Sequence, residues 1–140
     1  MTDLQKAKEL LTEGAYTCVL CKAEKTHTSM DRGVRPLMEW LESTVNFEGF
    51  SAADKVVGRG AAFLYVLLGV QAVYAHVISY SALEVLNAKN ISVEYDTAVE
   101  NIINRKGDGI CPFEAAVLNI IDADEAYCAI RKKMREMGIG

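Results

Sequence analysis

The chain has 140 residues, 51% of them apolar and 24% charged, with a net charge of −4. That length supports a single domain with an ordinary hydrophobic core, held without disulfides or metal staples. The acidic balance argues against a broad basic surface, so no nucleic-acid partner is expected, while a nucleotide in a local pocket remains compatible.

Met1-Thr2-Asp3 leads into a charged helix without an apolar signal segment, and a cytoplasmic location is the expectation. Leu4, Ala7, Leu10 and Leu11 form the stripe of that helix, which stops near Gly14. Ala15 to Lys22 reads as a strand with Lys25 to Ser29 as its hairpin partner. Gly33-Val34-Arg35-Pro36 opens a helix over Leu37 to Leu41, with Pro36 in its first turn. Gly49 to Ala53 is expected as a short buried strand, after which Asp54 stands where a cap would start a helix over Lys55 to Leu68.

That helix is apolar on nearly every side, so it belongs inside the protein, and its charged end at Lys55 and Arg59 must reach solvent or a polar pocket. Its apolar run Ala61 to Val70 is too short to cross about 30 Å of hydrocarbon, and no membrane partner is expected. Ala72 to Ile78 follows as a strand, Tyr80 to Ala88 as a helix and Ile91 to Tyr95 as a strand. Thr97 to Ile103 reads as a short helix or loop, Cys111 to Asn119 as a helix, and Asp122 opens a last helix running to Gly138. Strands alternating with helices from Gly49 to Tyr95 imply a locally parallel sheet, and the expected fold is a three-layer α/β/α sandwich.

Four cysteines are present: Cys18, Cys21, Cys111 and Cys128. Cys18 and Cys21 have the gap of a metal knuckle, but residues three apart on a strand face opposite ways and do not chelate one ion. No second Cys or His pair completes a site, so no metal and no cofactor is expected.

Cys111 is different. The loop Asp108-Gly109-Ile110 delivers it to a helix start, with Pro112 at the favoured first position and Glu114 where a capping box would place it. Free amides and the helix dipole at such a cap favour a thiolate, which is a nucleophile, a redox handle or a metal ligand.

The segments Gly33-Val34-Arg35-Pro36-Leu37, Ala53-Asp54-Lys55-Val56-Val57-Gly58-Arg59, Ala72-Val73-Tyr74-Ala75 and Ile103-Asn104-Arg105, followed by Cys111-Pro112 and Glu114, resemble a small prokaryotic family. It is the family called domain of unknown function 1893, and the resemblance covers roughly Leu4 to Asn119. It implies a cytidine deaminase-like fold. Deaminases of that fold hold zinc through His-x-Glu or Cys-x-Glu on the central helix and Pro-Cys-x-x-Cys on the next, with the glutamate moving protons. Here those places read Gly58-Arg59-Gly60-Ala61-Ala62 and Ser79-Tyr80-Ser81-Ala82, so the resemblance carries no zinc-dependent deamination.

The candidate site therefore comprises Asp54, Cys111 and Glu114 for chemistry, with Lys55, Gly58, Arg59, Arg35 and Asn104 for ligand contact. Asp54 either caps the central helix, worth about 1 kcal/mol, or joins Lys55 in contacting ligand hydroxyls or phosphates. Gly58 and Gly60 would let backbone approach an anion at the helix end, with Arg59 adding charge. Glu114 either closes back on the Cys111 amide or serves as a base. Arg35 is a surface residue or an anion contact, and Asn104 and Arg105 line the pocket or end a helix. His76 reads as a hydrogen-bonded structural residue on Tyr74's face of its strand, His27 as exposed, and Trp40 and the tyrosines as core and interface residues. The expected partner is a small nucleotide-like or phosphorylated ligand bound in a zinc-free pocket, with self-association. The competing reading is a regulatory or assembly protein whose pocket is vestigial.

Overall fold

A computed structural model describes residues 1–104 and 106–138. The elements run α1 (Asp3–Glu13), β1 (Cys18–Lys22), β2 (Lys25–Ser29), α2 (Arg35–Glu42), β3 (Ser51–Val57), α3 (Arg59–Leu68), β4 (Ala72–Ser79), α4 (Tyr80–Ala88), β5 (Ser92–Val99), α5 (Pro112–Ala116) and α6 (Ala123–Glu136). They form a mixed α/β structure in which helices flank one five-stranded sheet of order β2-β1-β3-β4-β5. β1 is antiparallel to both β2 and β3, whereas β3, β4 and β5 are parallel, as the strand–helix alternation requires.

Alternation along the strands sorts the core into two clusters. Val19, Cys21, Ala53 and Tyr74 pack with Ala7 and Leu11 of α1. Cys18, Leu20, Ala52, Val73 and Ala75 pack in a larger cluster with the buried side chains of α3. Cys18 and Cys21 thus fall in different clusters, as two residues three apart on a strand must. α3 is the hub of the larger cluster: it touches α2, α4, α5 and α6, and seven of its ten residues are buried. No helix among the described residues is long and apolar enough to cross a membrane.

Several boundaries differ from expectation, and one changes the chemistry. β3 does not stop at Ala53 but continues to Val57, so Asp54 and Lys55 are strand residues and Asp54 caps nothing. The cap of α3 is Gly58, which has no side chain to offer, and the helix begins only at Arg59. β5 continues through the β-forming residues Thr97 and Val99, and there is no helix over Thr97 to Ile103. The chain beyond β5 turns back on itself through an Ile103–Ile110 bridge. α5 ends at Ala116 rather than Asn119, and β1 begins at Cys18 rather than Ala15. His27 is half-buried rather than exposed, its ring edge-on to Phe47 at 4.9 Å.

Candidate functional site

The C-terminal end of β3, the start of α3, Ile102 to Asn104 and Cys111 to Glu114 border an open hollow of about 930 Å³. Its lining includes Cys18, Asp54, Lys55, Gly58, Asn104, Cys111 and Glu114. The mouth of the central helix and the tip of the Pro112 helix therefore do open into one cavity.

Asp54 is the chemically unusual residue of this hollow. It leaves the strand on the side of the larger core cluster and is 8% exposed. Its Oδ2 accepts a hydrogen bond from the Tyr65 hydroxyl at 2.6 Å, and its Oδ1 accepts one from the Val56 amide at 3.3 Å. The Cys18 thiol lies 3.1 Å from the same hydroxyl. Burial pushes the Asp54 carboxyl up to about 7, against the hydrogen bonds from Tyr65 and the backbone, which favour its anion. Burial likewise pushes the Cys18 thiol and the Tyr65 phenol up, with the Asp54 charge adding to both. The result is a carboxyl poised to exchange a proton near neutrality at the floor of a ligand-sized cavity.

Tyr65 and Cys18 were not anticipated. The available signal was that Tyr65 carries the polar tip in an otherwise apolar inner helix, and a buried tyrosine hydroxyl seeks a partner. Asp54 is that partner.

Glu114 caps a different helix from the one expected. Its side chain is 1% exposed. Oε1 accepts from the Arg59 amide at 3.3 Å, and Oε2 accepts from the Ile102 amide. The first of these supplies the side-chain cap that Gly58 lacks, so Glu114 caps α3 from another element. It does not close on the Cys111 amide, which donates to the Ile102 carbonyl at 2.8 Å. Both oxygens are thus engaged in tying the hollow's walls together.

Arg59 is likewise drawn into the framework. Nε donates to the Val117 carbonyl at 3.0 Å and an Nη to the Ile120 carbonyl at 2.5 Å, while the other Nη is 3.4 Å from Ser81 Oγ. These bonds satisfy carbonyls at and beyond the end of α5, and the guanidinium is not part of the hollow's lining. The guanidinium expected to supply charge to a ligand is thus engaged by backbone carbonyls. Arg59→Ala is expected to lower stability by about 2 kcal/mol, read by urea unfolding.

The glycines serve the same close packing. A Cβ on Gly58 would stand 3.2 Å from Ile102 Cγ1, and one on Gly60 would stand 3.2 Å from the Phe113 carbonyl oxygen. Both residues border the hollow, but it is the chain itself that approaches them.

Cys111 lines the hollow as the residue before α5, half-buried, with no side-chain cap bond. α5, which Cys111 precedes, has only five residues and begins with Pro112. Lys55 is exposed at the rim, with Arg32 and Lys106. Asn104 also lines the hollow, its amide nitrogen donating to Asp108 at 2.9 Å. Arg35 does not: it pairs with Glu39 at 3.2 Å and lines a smaller recess beside the hollow, together with Arg32 and Met134. Arg105 lies outside the described residues. His76 is hydrogen-bonded, its Nδ1 2.9 Å from Asp96 on β5.

The residues at the places where the resemblance would put zinc ligands do not fit a metal. Gly58, Gly60 and Ala61 offer no donor atoms there, and Arg59 is occupied by carbonyls. Among the described residues no three His, Cys, Asp or Glu side chains are grouped to hold an ion.

The chain is similar to a crystal structure of a DUF1893 family protein (TM1506) from Thermotoga maritima, with a TM-score of 0.86 and 27% identity over 95% of this chain and 91% of that one. No curated protein matches. The family model TM1506, domain of unknown function (DUF1893), matches residues 6–134. Since that match takes in the sheet, the central helix and both walls of the hollow, the chain belongs to the DUF1893 family.

Proposed function

We propose that the hollow binds a small phosphorylated or nucleotide-like ligand without zinc, on a three-layer scaffold of the cytidine deaminase-like type. The strand order 2-1-3-4-5 and the two apolar clusters on opposite faces support the scaffold reading. The observation that carries the ligand reading is Asp54: a buried carboxyl lining a cavity of about 930 Å³, near the upper end of volumes typical for small-molecule sites. A protein rarely keeps such a group without a use for it, because burying an ionisable side chain is costly. Asp54 supplies a polar contact that accepts or donates a proton at the floor. Lys55, Lys106 and Arg32 supply cations at the rim for a phosphate, and Ile102, Ile103 and Phe113 supply an apolar wall. If the bound ligand is turned over, Cys111 is the nucleophile and Asp54 the acid or base. In a cytoplasmic protein that thiol would stay reduced.

The non-catalytic reading, a regulatory protein with a retained pocket, is favoured by one observation. Among the described residues, no base is hydrogen-bonded to the Cys111 sulfur, and Glu114 nearby is already committed.

Thermal unfolding with nucleoside mono- and diphosphates, sugar phosphates and inorganic phosphate tests the ligand reading. A ligand present at a hundred times its Kd adds about 2.7 kcal/mol, which raises Tm by several degrees. The shift should shrink in Lys55→Ala and vanish in Asp54→Asn. A flat response across the panel would remove the proposal.

A further inference from the structure

The charges of the hollow are sorted by depth. Its buried lining holds two carboxyls, Asp54 and Glu114, and no cation among the described residues. Glu114 is answered by the amides of Arg59 and Ile102, and the Arg59 guanidinium turns to carbonyls. Lys55, Arg32 and Lys106 all stand exposed, and among the described residues none of them is in an ion pair. Two exposed carboxylates, Asp31 and Asp108, share that rim, and Asp108 accepts from the Asn104 amide nitrogen at 2.9 Å.

Asp54 is the group left without an answer. Its register partners on the neighbouring strands are Cys18 and Ala75, and the donors that reach it are the Tyr65 hydroxyl of α3 and the Val56 amide. None of these carries a positive charge. The two donors take about half of the acceptor positions that a carboxylate offers, which leaves capacity on a residue that lines the hollow. Buried charges are ordinarily paired or bound to a metal. A metal ion would need further ligands, and among the described residues no three His, Cys, Asp or Glu are grouped to supply them. The counter-charge that the chain does not provide is one a ligand can bring.

We infer that Asp54 is the subsite for an ammonium group, so that the ligand is a phosphate ester carrying an amine at its far end. This rests on the ligand reading above and narrows it to one substrate class. The amine pairs with Asp54 on the floor, and the phosphate faces Lys55, Arg32 and Lys106. Anion inside and cations outside fix the orientation of such a molecule, and an ion pair formed away from water is stronger than the same pair at a surface. Ile102, Ile103 and Phe113 pack the chain that joins its two ends. Burial keeps the Asp54 proton in place up to about pH 7, so below that pH the carboxyl releases a proton to solvent as the ammonium arrives. No covalent bond changes.

Calorimetric titration with ω-aminoalkyl phosphates of about two to eight carbons, beside ω-hydroxyalkyl phosphates of the same lengths, tests this. At neutral pH the best amine should bind at least about tenfold tighter than its alcohol. The ratio of the two affinities should rise about tenfold per unit up to about pH 7 and level off above it, the shared phosphate cancelling from the ratio. Asp54→Asn should bind the amine no more tightly than the alcohol, whereas Lys55→Ala should weaken both alike. Equal binding of amine and alcohol by the parent would overturn the inference and leave the ligand reading standing. A preference that persists in Asp54→Asn, or a ratio that falls as pH rises, would overturn it too. So would an amine series that does not bind while a nucleotide or sugar phosphate raises Tm. Silence from both series and from that panel would remove the ligand reading as well.

Discussion

Glu114→Ala is expected to destabilise the protein by about 3–5 kcal/mol and to lower its Tm by about 10–15 °C. The carboxylate is buried, and its two oxygens take the amides of Arg59 and Ile102 from two different stretches of chain. Alanine leaves both donors without a partner in a place water does not easily reach, at about 1–3 kcal/mol each, and opens a small cavity beside Gly58. Glutamine keeps one good acceptor but turns an NH2 toward the other amide, so Glu114→Gln should fall between alanine and the parent. Thermal and urea unfolding of the three proteins would check the order. If Glu114→Ala instead melted with the parent and lost only its response to ligand, the residue would be a free site carboxylate and the capping account would be wrong.

Asp54→Asn should do the opposite at neutral pH. The folded-state value of Asp54 is raised from 3.8 to about 7, so between those values the unfolded chain releases a proton that the folded protein keeps. Stability contributed by this residue is then fully present below about pH 4, falls as pH rises toward 7, and levels off above it. At about 1.4 kcal/mol per unit, the fall amounts to about 4 kcal/mol. Asparagine retains an oxygen for the Tyr65 hydroxyl and has no proton to lose. The variant should therefore match the parent near pH 4 and exceed it by up to about 4 kcal/mol near pH 8. Urea unfolding of both proteins at the two pH values isolates the effect, since every other titrating group is common to them. Parallel pH profiles would show that Asp54 titrates normally. A more stable protein that no longer binds ligand would show that the parent keeps a costly charge for its function.

These two residues also mark where the sequence was legible. Wherever local periodicity decides, the type and order of the elements were legible though not every boundary: the α1 stripe, the β1–β2 hairpin, the inner helix and the run of parallel strands. Asp54 was misassigned because aspartate before an apolar run is a strong cap signal, and the true cap, Gly58, leaves no side-chain signature. The alternation of Ala52 and Asp54 on one side of β3 was present but short. The cap that Glu114 provides for α3 was not legible, because the amide it takes lies fifty-five positions away and nothing in local pattern connects them. The convergence of Asp54 and Cys111 on one hollow was legible only through the family resemblance. The direction of Arg59 was not, since the carbonyls it binds, on Val117 and Ile120, lie 58 and 61 positions away in the chain.

The hollow borrows its walls from opposite halves of the polypeptide: strand β3 with the start of α3, and the return through Ile102 and Glu114. During synthesis the floor residue and its tyrosine leave the ribosome well before the segment that closes over them. A nascent chain halted after β5 would own Asp54 but neither the second wall nor the cap that fixes the inner helix. The floor of the hollow is thus laid down first, and its second wall and the brace on the inner helix arrive together with the later segment.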